Sequence, residues 1–210
     1  LSGFVRNNFF NWHGNGWSGS QFVQPYYFGY ANKNNYWGLN FNYVSSKNTT
    51  PGHEGKINTF TDTLLYFSTR NSKDKYIVDY NLGINIPTGK TKLSSYERNA
   101  RMDEDLVRFA EFGEGWNFTP GIAVTRRIGG DKDLLTVGTS YSFKGAYDPT
   151  SDIDDDKLNP GNEWQKYLRW QHAEEKWQLV GEVLHTSSAE SKIADGTAFD
   201  TGAVLSLIHI

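Results

Sequence analysis

The side chains in this chain that could do chemistry are few and dispersed. Five histidines, His13, His53, His172, His185 and His209, are spread over 210 residues, and there is no cysteine. Thiolate metal sites and disulfides are therefore excluded, and no two histidines have the spacing of a metal-binding pair. They read as loop and interface histidines. A lipid-facing hydrolase would need a serine beside His172 or His185, and no strand serine answers to that. No catalytic residue, no enzyme activity and no cofactor is expected.

Two charged clusters remain. Asp152, Asp154, Asp155 and Asp156 crowd one segment. They offer enough oxygens for calcium but lack EF-hand spacing, so a solvated acidic loop is the expectation and a calcium site the alternative. Arg98, Arg101, Asp103, Glu104, Asp105 and Arg108 lie within a stretch, 88–115, that has no strand period. A loop this long is uncommon and often functional. Either it folds into the mouth of the structure and sets a constriction, or it is an exposed cap.

What positions these residues is a series of strands, seen most clearly in Tyr76 to Gly89. Tyr76, Val78, Tyr80, Leu82, Ile84 and Ile86 alternate with Asp79, Asn81, Gly83 and Asn85. A strand sends alternate side chains to opposite faces, so this one has an apolar face and a polar face. The same alternation recurs in 36–44, 116–128 and 134–147, where Trp116, Phe118, Ile122, Val124, Leu135, Val137, Tyr141 and Phe143 form the apolar set. A turn at 129–132 sets Val124 opposite Val137 and Phe118 opposite Phe143, which keeps the faces consistent. A hairpin over 163–186 is expected to set Trp170 opposite Leu179 and Gln171 opposite Gln178. Residues 57–70 read as a weaker strand, 21–31 as a strand flawed by Pro25, and 1–19 as an irregular N-terminal segment.

About nine strands result, each near the roughly 9–11 residues of a membrane strand. Short turns at 31–35, 71–75, 129–132 and 173–176 alternate with longer connections at 45–56, 88–115, 148–161 and 187–196. That is the pattern of periplasmic turns and extracellular loops. Trp37, Tyr76 and Trp177 sit beside short turns and Trp116, Tyr147 and Trp164 beside long loops, as two interfacial girdles would. Composition agrees: hydrophobic residues are 37% and aromatics 15%, as expected when only half of each strand must be apolar. The net charge of −3 gives no nucleic-acid footprint.

The expected fold is all-β, an antiparallel up-and-down transmembrane β-barrel forming one domain over 1–210, in the outer membrane of a Gram-negative bacterium. Its partners are outer-membrane lipids and a small-molecule solute. The polar faces give the expected lumen: Asp62, Asp79, Asn81, Asn85, Asn117, Thr125, Arg127, Ser142, Lys144, Arg169, Gln171, Gln178 and Glu182. With Leu1 first and a strand-like tail, Leu205 to Ile210, the chain reads as a fragment whose last five or six residues are not native. The alternative is a soluble or surface β-sandwich that binds carbohydrate through its aromatics.

Three stretches carry a resemblance. Asp62-Thr63-Leu64, then Leu82-Gly83-Ile84-Asn85-Ile86-Pro87-Thr88-Gly89-Lys90, then Gly115-Trp116-Asn117-Phe118-Thr119-Pro120-Gly121 resemble the outer-membrane transporter family named for the MetA pathway of phenol degradation. Its members have a Gly-x-Gly-Asp segment and a strand ending in Leu-Pro-Thr-Gly. Here Thr59 and Thr61 stand at the glycines, Asp62 matches, and Ile86 replaces the leucine. The resemblance covers residues 20–185. It implies passage of small compounds, aromatic or hydrophobic ones included, across the outer membrane, and brings no catalytic residues.

Overall fold

Period-two alternation carries most of the chain into strands, because each strand can then commit one face to apolar contact and the other to polar. The computed structural model describes residues 1–100, 112–129, 132–149, 151, 157–193, 198–199 and 203–209, the last two stretches as backbone. The strands are β1 (Ser2–Val5), β2 (Asn8–Gly14), β3 (Trp17–Ala31), β4 (Asn35–Thr50), β5 (His53–Phe60), β6 (Thr63–Lys73) and β7 (Tyr76–Ile86). A single helical turn, α1 (Ser95–Arg98), precedes β8 (Asn117–Ile128), β9 (Asp133–Lys144), β10 (Leu158–Asn159), β11 (Glu163–Ala173), β12 (Gln178–Ser188), β13 (Ser191–Ile193), β14 (Ala198–Phe199) and β15 (Ala203–His209).

The main sheet has twelve strands in the order β1-β3-β4-β6-β7-β8-β9-β11-β12-β15, with β2 added to β3 and β5 added to β4. All its pairings are antiparallel, and chain neighbours are mostly sheet neighbours, which is up-and-down topology. Among the described residues β1 and β15 end the strand path without pairing each other, so the sheet is not closed. A small sheet of β10, β13 and β14 ties the connection after β9 to the one after β12.

Four segments differ from the sequence expectation, each for a physical reason. Residues 1–19 hold β1, β2 and the start of β3; β2 carries aromatics on both faces, Phe9 against Phe10 and Trp12, so no alternation shows. The expected loop 45–56 is a hairpin: β4 runs on to Thr50, turns at Pro51-Gly52 and returns as β5. Its polar composition mimics a loop, while the ladder supplies the pairing. In 57–70 the strand contains a bulge. Phe60 pairs with Tyr43 but Leu64 pairs with Asn40, so three residues oppose two and the side-chain parity flips at Thr61-Asp62. In the last full hairpin Trp170 pairs with Gly181 and Gln171 with Val180, two residues from the expected register. A shift of two preserves the faces; the turn, closed by Glu174 N–H donating to the Trp177 carbonyl at 2.9 Å, sets which shift is taken.

The buried apolar cluster is small: Val23, Val44, Ile57, Leu93, Ala100 and Phe112. It lies where the stretch 88–115 meets β3, β4 and β5. Elsewhere many large apolar side chains are bare, with Phe118, Val124, Val137, Phe143, Leu168 and Val183 all exposed.

Candidate functional site

The polar face of the sheet is the concave one. Tyr66 of β6 and Tyr167 of β11 stand four strands apart, about 19 Å on a flat sheet, yet they line one cavity of about 490 Å³ with Asn81, Asn85, Asn117 and Lys144. Tyr167 lies flat on Gly138: a Cβ there would come within 2.3 Å of the ring. Two pairs of charges on this face are hydrogen-bonded to each other. Arg70 makes two hydrogen bonds to Asp79 (2.7 and 3.1 Å), and Lys144 donates to Glu163 (2.6 Å). Arg169 is registered opposite Glu182. Hydroxyls and amides pair similarly: Thr125 with Thr136 (2.8 Å), Thr119 with Ser142 (2.8 Å), and Tyr66 Oη donating to Asn81 Oδ1 (2.8 Å). Arg127, Gln171 and Gln178 fall on the same face by register.

Asp62 is not on that wall. It is the residue of the bulge between β5 and β6, only 7% exposed, and its carboxylate gathers four donors. Asn85 Nδ2 donates to Oδ2 (2.8 Å), Gly89 N–H to Oδ1 (2.9 Å), Gly113 N–H to Oδ1 (2.9 Å) and Glu114 N–H to Oδ2 (2.9 Å). Both ends of the stretch 88–115 are thereby fastened to one buried side chain. Gly113 is required there: its φ is +66° and a Cβ would come within 2.7 Å of Thr91. Asn85, expected on the wall, has its amide turned to this knot and also donates to the Gly115 carbonyl (2.9 Å).

Between those ends the described residues lie against the inner face of β3, β4 and β5, through Leu93, Ala100 and Phe112 on Val23, Val44 and Ile57. α1 begins with a capping box of Ser94 and Glu97, and Lys90 donates to Glu97. Lys92 bridges to Asp148 (2.8 Å), and Leu93 N–H donates to the Pro149 carbonyl (3.2 Å), so two connections meet at this end. Arg98 sits in α1 and donates to Ser95 Oγ (3.3 Å). Arg101, Asp103, Glu104, Asp105 and Arg108 lie outside the described residues, as do Asp152, Asp154, Asp155 and Asp156.

Partial burial raises the Glu97 carboxyl, but hydrogen bonds from Lys90 and Ser94 outweigh it and leave the pKa below its ordinary value. A depressed folded-state pKa adds stability above the unfolded value, and that stability goes as pH falls through the folded one. The attachment of 88–100 is therefore expected to be complete at neutral pH and to weaken below about pH 4.3, the ordinary glutamate value. Amide exchange of residues 95–100 checks this. An acid-induced opening that persists in Glu97→Gln would assign it to another group.

The convex face is apolar between two aromatic belts. Trp37, Tyr76, Trp170 and Trp177 mark the short-turn end and Trp116, Phe118, Phe143 and Trp164 the long-connection end, all exposed. The short turns are knitted together: His172 Nδ1 is 2.9 Å from Asp133 Oδ1, Trp170 Nε1 donates to the same oxygen (3.2 Å), and the Lys132 ammonium holds the Glu174 carboxyl below its ordinary range. His185 faces outward, while His13 and His53 are exposed in β2 and β5. The side chain of His209 lies outside the described residues. No group of three or more His, Asp or Glu side chains suited to a metal ion occurs among the described residues.

Sequence reasoning missed Arg70, Tyr66's amide contact, Glu163 and Tyr167 on the concave face. The parity of β6 and β11 was the available signal for all four. It missed the role of Asp62 because a bulge leaves no periodic trace.

The fold is an antiparallel up-and-down barrel sheet, polar on its concave face and apolar on its convex face. It is similar to the crystal structure of an outer membrane channel from Pseudomonas putida F1, with a TM-score of 0.61 over 97% of this chain and 77% of that one. The two are 12% identical in sequence, so the likeness concerns the fold. No family model and no curated protein sequence matches the chain.

Proposed function

We propose that the protein is an outer-membrane channel of a Gram-negative bacterium, passing small solutes through a polar lumen. The observation that carries this is the inverted placement of its residues. Water-soluble β-proteins bury their apolar faces; here the bare convex face is apolar between aromatic belts, and hydrogen-bonded ion pairs line the concave one. A membrane barrel requires that arrangement. A carbohydrate-binding sandwich would need a second sheet over the apolar face, and among the described residues none packs there.

The lumen wall mixes signs, and Arg70–Asp79 and Lys144–Glu163 cancel in pairs, so it should discriminate weakly between anions and cations. Tyr66 and Tyr167 on the cavity support small aromatic or hydrophobic solutes, as does the resemblance of residues 62–64, 82–90 and 115–121 to the phenol-pathway transporters. The segment 88–115 would act as the constriction, since its ends are fastened to the inner face. Planar-bilayer recording tests this reading. Deleting residues 95–110 is expected to raise single-channel conductance, and neutralising Arg127 to change ion preference only slightly. A protein that stays monomeric and folded in buffer without detergent is not this channel.

A further inference from the structure

Arg126, Asp133 and His172 face outward at the short-turn belt; away from that belt, the outward positions of β7, β8, β9, β11 and β12 carry two basic side chains among the described residues, Lys166 and His185. They are directly paired across β11 and β12, and Lys166 is paired on its other side with Thr139. The three form a polar row across an otherwise apolar surface. Lys166 is exposed, and among the described residues no carboxylate lies within ion-pair distance of it. Its Nζ stands 3.5 Å from the centroid of the Trp164 ring, which bends the ammonium toward the long-connection end. Trp164 is itself held by Nε1 donating to Thr139 Oγ1 (2.6 Å). Below this row an apolar groove of about 570 Å³ opens among Val124, Val137, Leu168 and Val183.

A cation facing lipid is costly at the bilayer midplane and tolerable near the interface, and an ionisable residue in such a place is a candidate binding site. Here the ammonium stands at the height of the belt, the imidazole supplies a second N–H, and the groove runs from them toward the midplane. That is the outline of an amphiphile with an anionic head and an apolar tail. We propose that Lys166 and His185 bind the phosphate of a phosphorylated membrane lipid, with its acyl chain in the groove below. The proposal rests on the membrane reading given above, and charge complementarity selects the occupant: two cationic or donor groups with no acid beside them.

Phosphatidic acid and diacylglycerol differ only in the phosphate, so they make the test. The protein in detergent micelles is titrated with each, and with inorganic phosphate, and bound lipid is counted by native mass spectrometry. Phosphatidic acid is expected to bind in preference to diacylglycerol, and Lys166→Gln to weaken it about tenfold, the loss of one charge-assisted hydrogen bond. Lys166→Arg should retain binding, and His185→Gln should weaken it less than Lys166→Gln. Equal binding of the two lipids, or unchanged binding in Lys166→Gln, overturns the site and leaves the channel reading standing. Full competition by inorganic phosphate also overturns it, because the site would then be one for a free anion. Failure to enter micelles at all would remove the membrane reading, and the site with it.

Discussion

Replacing Asp62 by alanine should free both ends of the segment 88–115 from the barrel wall. The carboxylate accepts from Asn85, Gly89, Gly113 and Glu114, all at 2.8–2.9 Å, in a site where it is 7% exposed. Hydrogen bonds to a charged group contribute about 1.5–3 kcal/mol each and are not additive, so docking of the segment should weaken on the order of 3–5 kcal/mol. Asp62→Asn is expected to be nearly as damaging, since its amide would turn an N–H toward backbone N–H donors. The apolar contacts of Leu93, Ala100 and Phe112 would remain, so the strands themselves should stay folded. Limited proteolysis in micelles reads the effect directly, with cleavage appearing within residues 88–115, and bilayer recording should show larger or noisier conductance. Protection equal to that of the unaltered protein would mean that the apolar cluster alone holds the segment.

The second large effect concerns the convex face. Val124 lies between Val78 and Val137 on adjacent strands, all pointing outward, and Leu82 lies beside Phe67. Arginine at either position should cost about 2–4 kcal/mol in a lipid refolding titration if the face meets the bilayer midplane. Asn81 and Thr125, one residue away, point to the concave face, where Tyr66 and Thr136 are their partners. Arginine there should cost about 1 kcal/mol, the net worth of one neutral hydrogen bond. Similar penalties at both pairs would sink the assignment of faces, and with it the membrane reading.

Together these variants separate two properties that depend on different residues. The convex face sets where the protein resides. The Asp62 knot sets how the mouth segment is held. On the proposed channel reading, the Asp62→Ala protein should insert and fold yet conduct abnormally, whereas the Val124→Arg protein should fail to insert.

By itself the sequence determined the strands of the central wall and their faces, though not β1, β2 or β5. Alternation in Tyr76–Ile86, Asn117–Ile128 and Asp133–Lys144 is local information, carried by successive side chains that must point in opposite directions. The pairing of Val124 with Val137 and Phe118 with Phe143 followed from a short turn, and the alternation of short and long connections from counting residues. What only the tertiary structure decided is non-local. The register of β11 on β12 differs by two residues with no change of face, so pattern alone cannot choose it. The bulge at Thr61-Asp62 flips the parity of one strand and turns an apparent wall residue into a buried knot for donors up to 52 positions away. The segment after β7 has no period because it is held by one carboxylate and a six-residue apolar cluster drawn from β3, β4, β5 and the segment itself. Periodicity reports on a strand's own two faces; a contact between distant backbone amides and a single side chain exists only once the chain has folded.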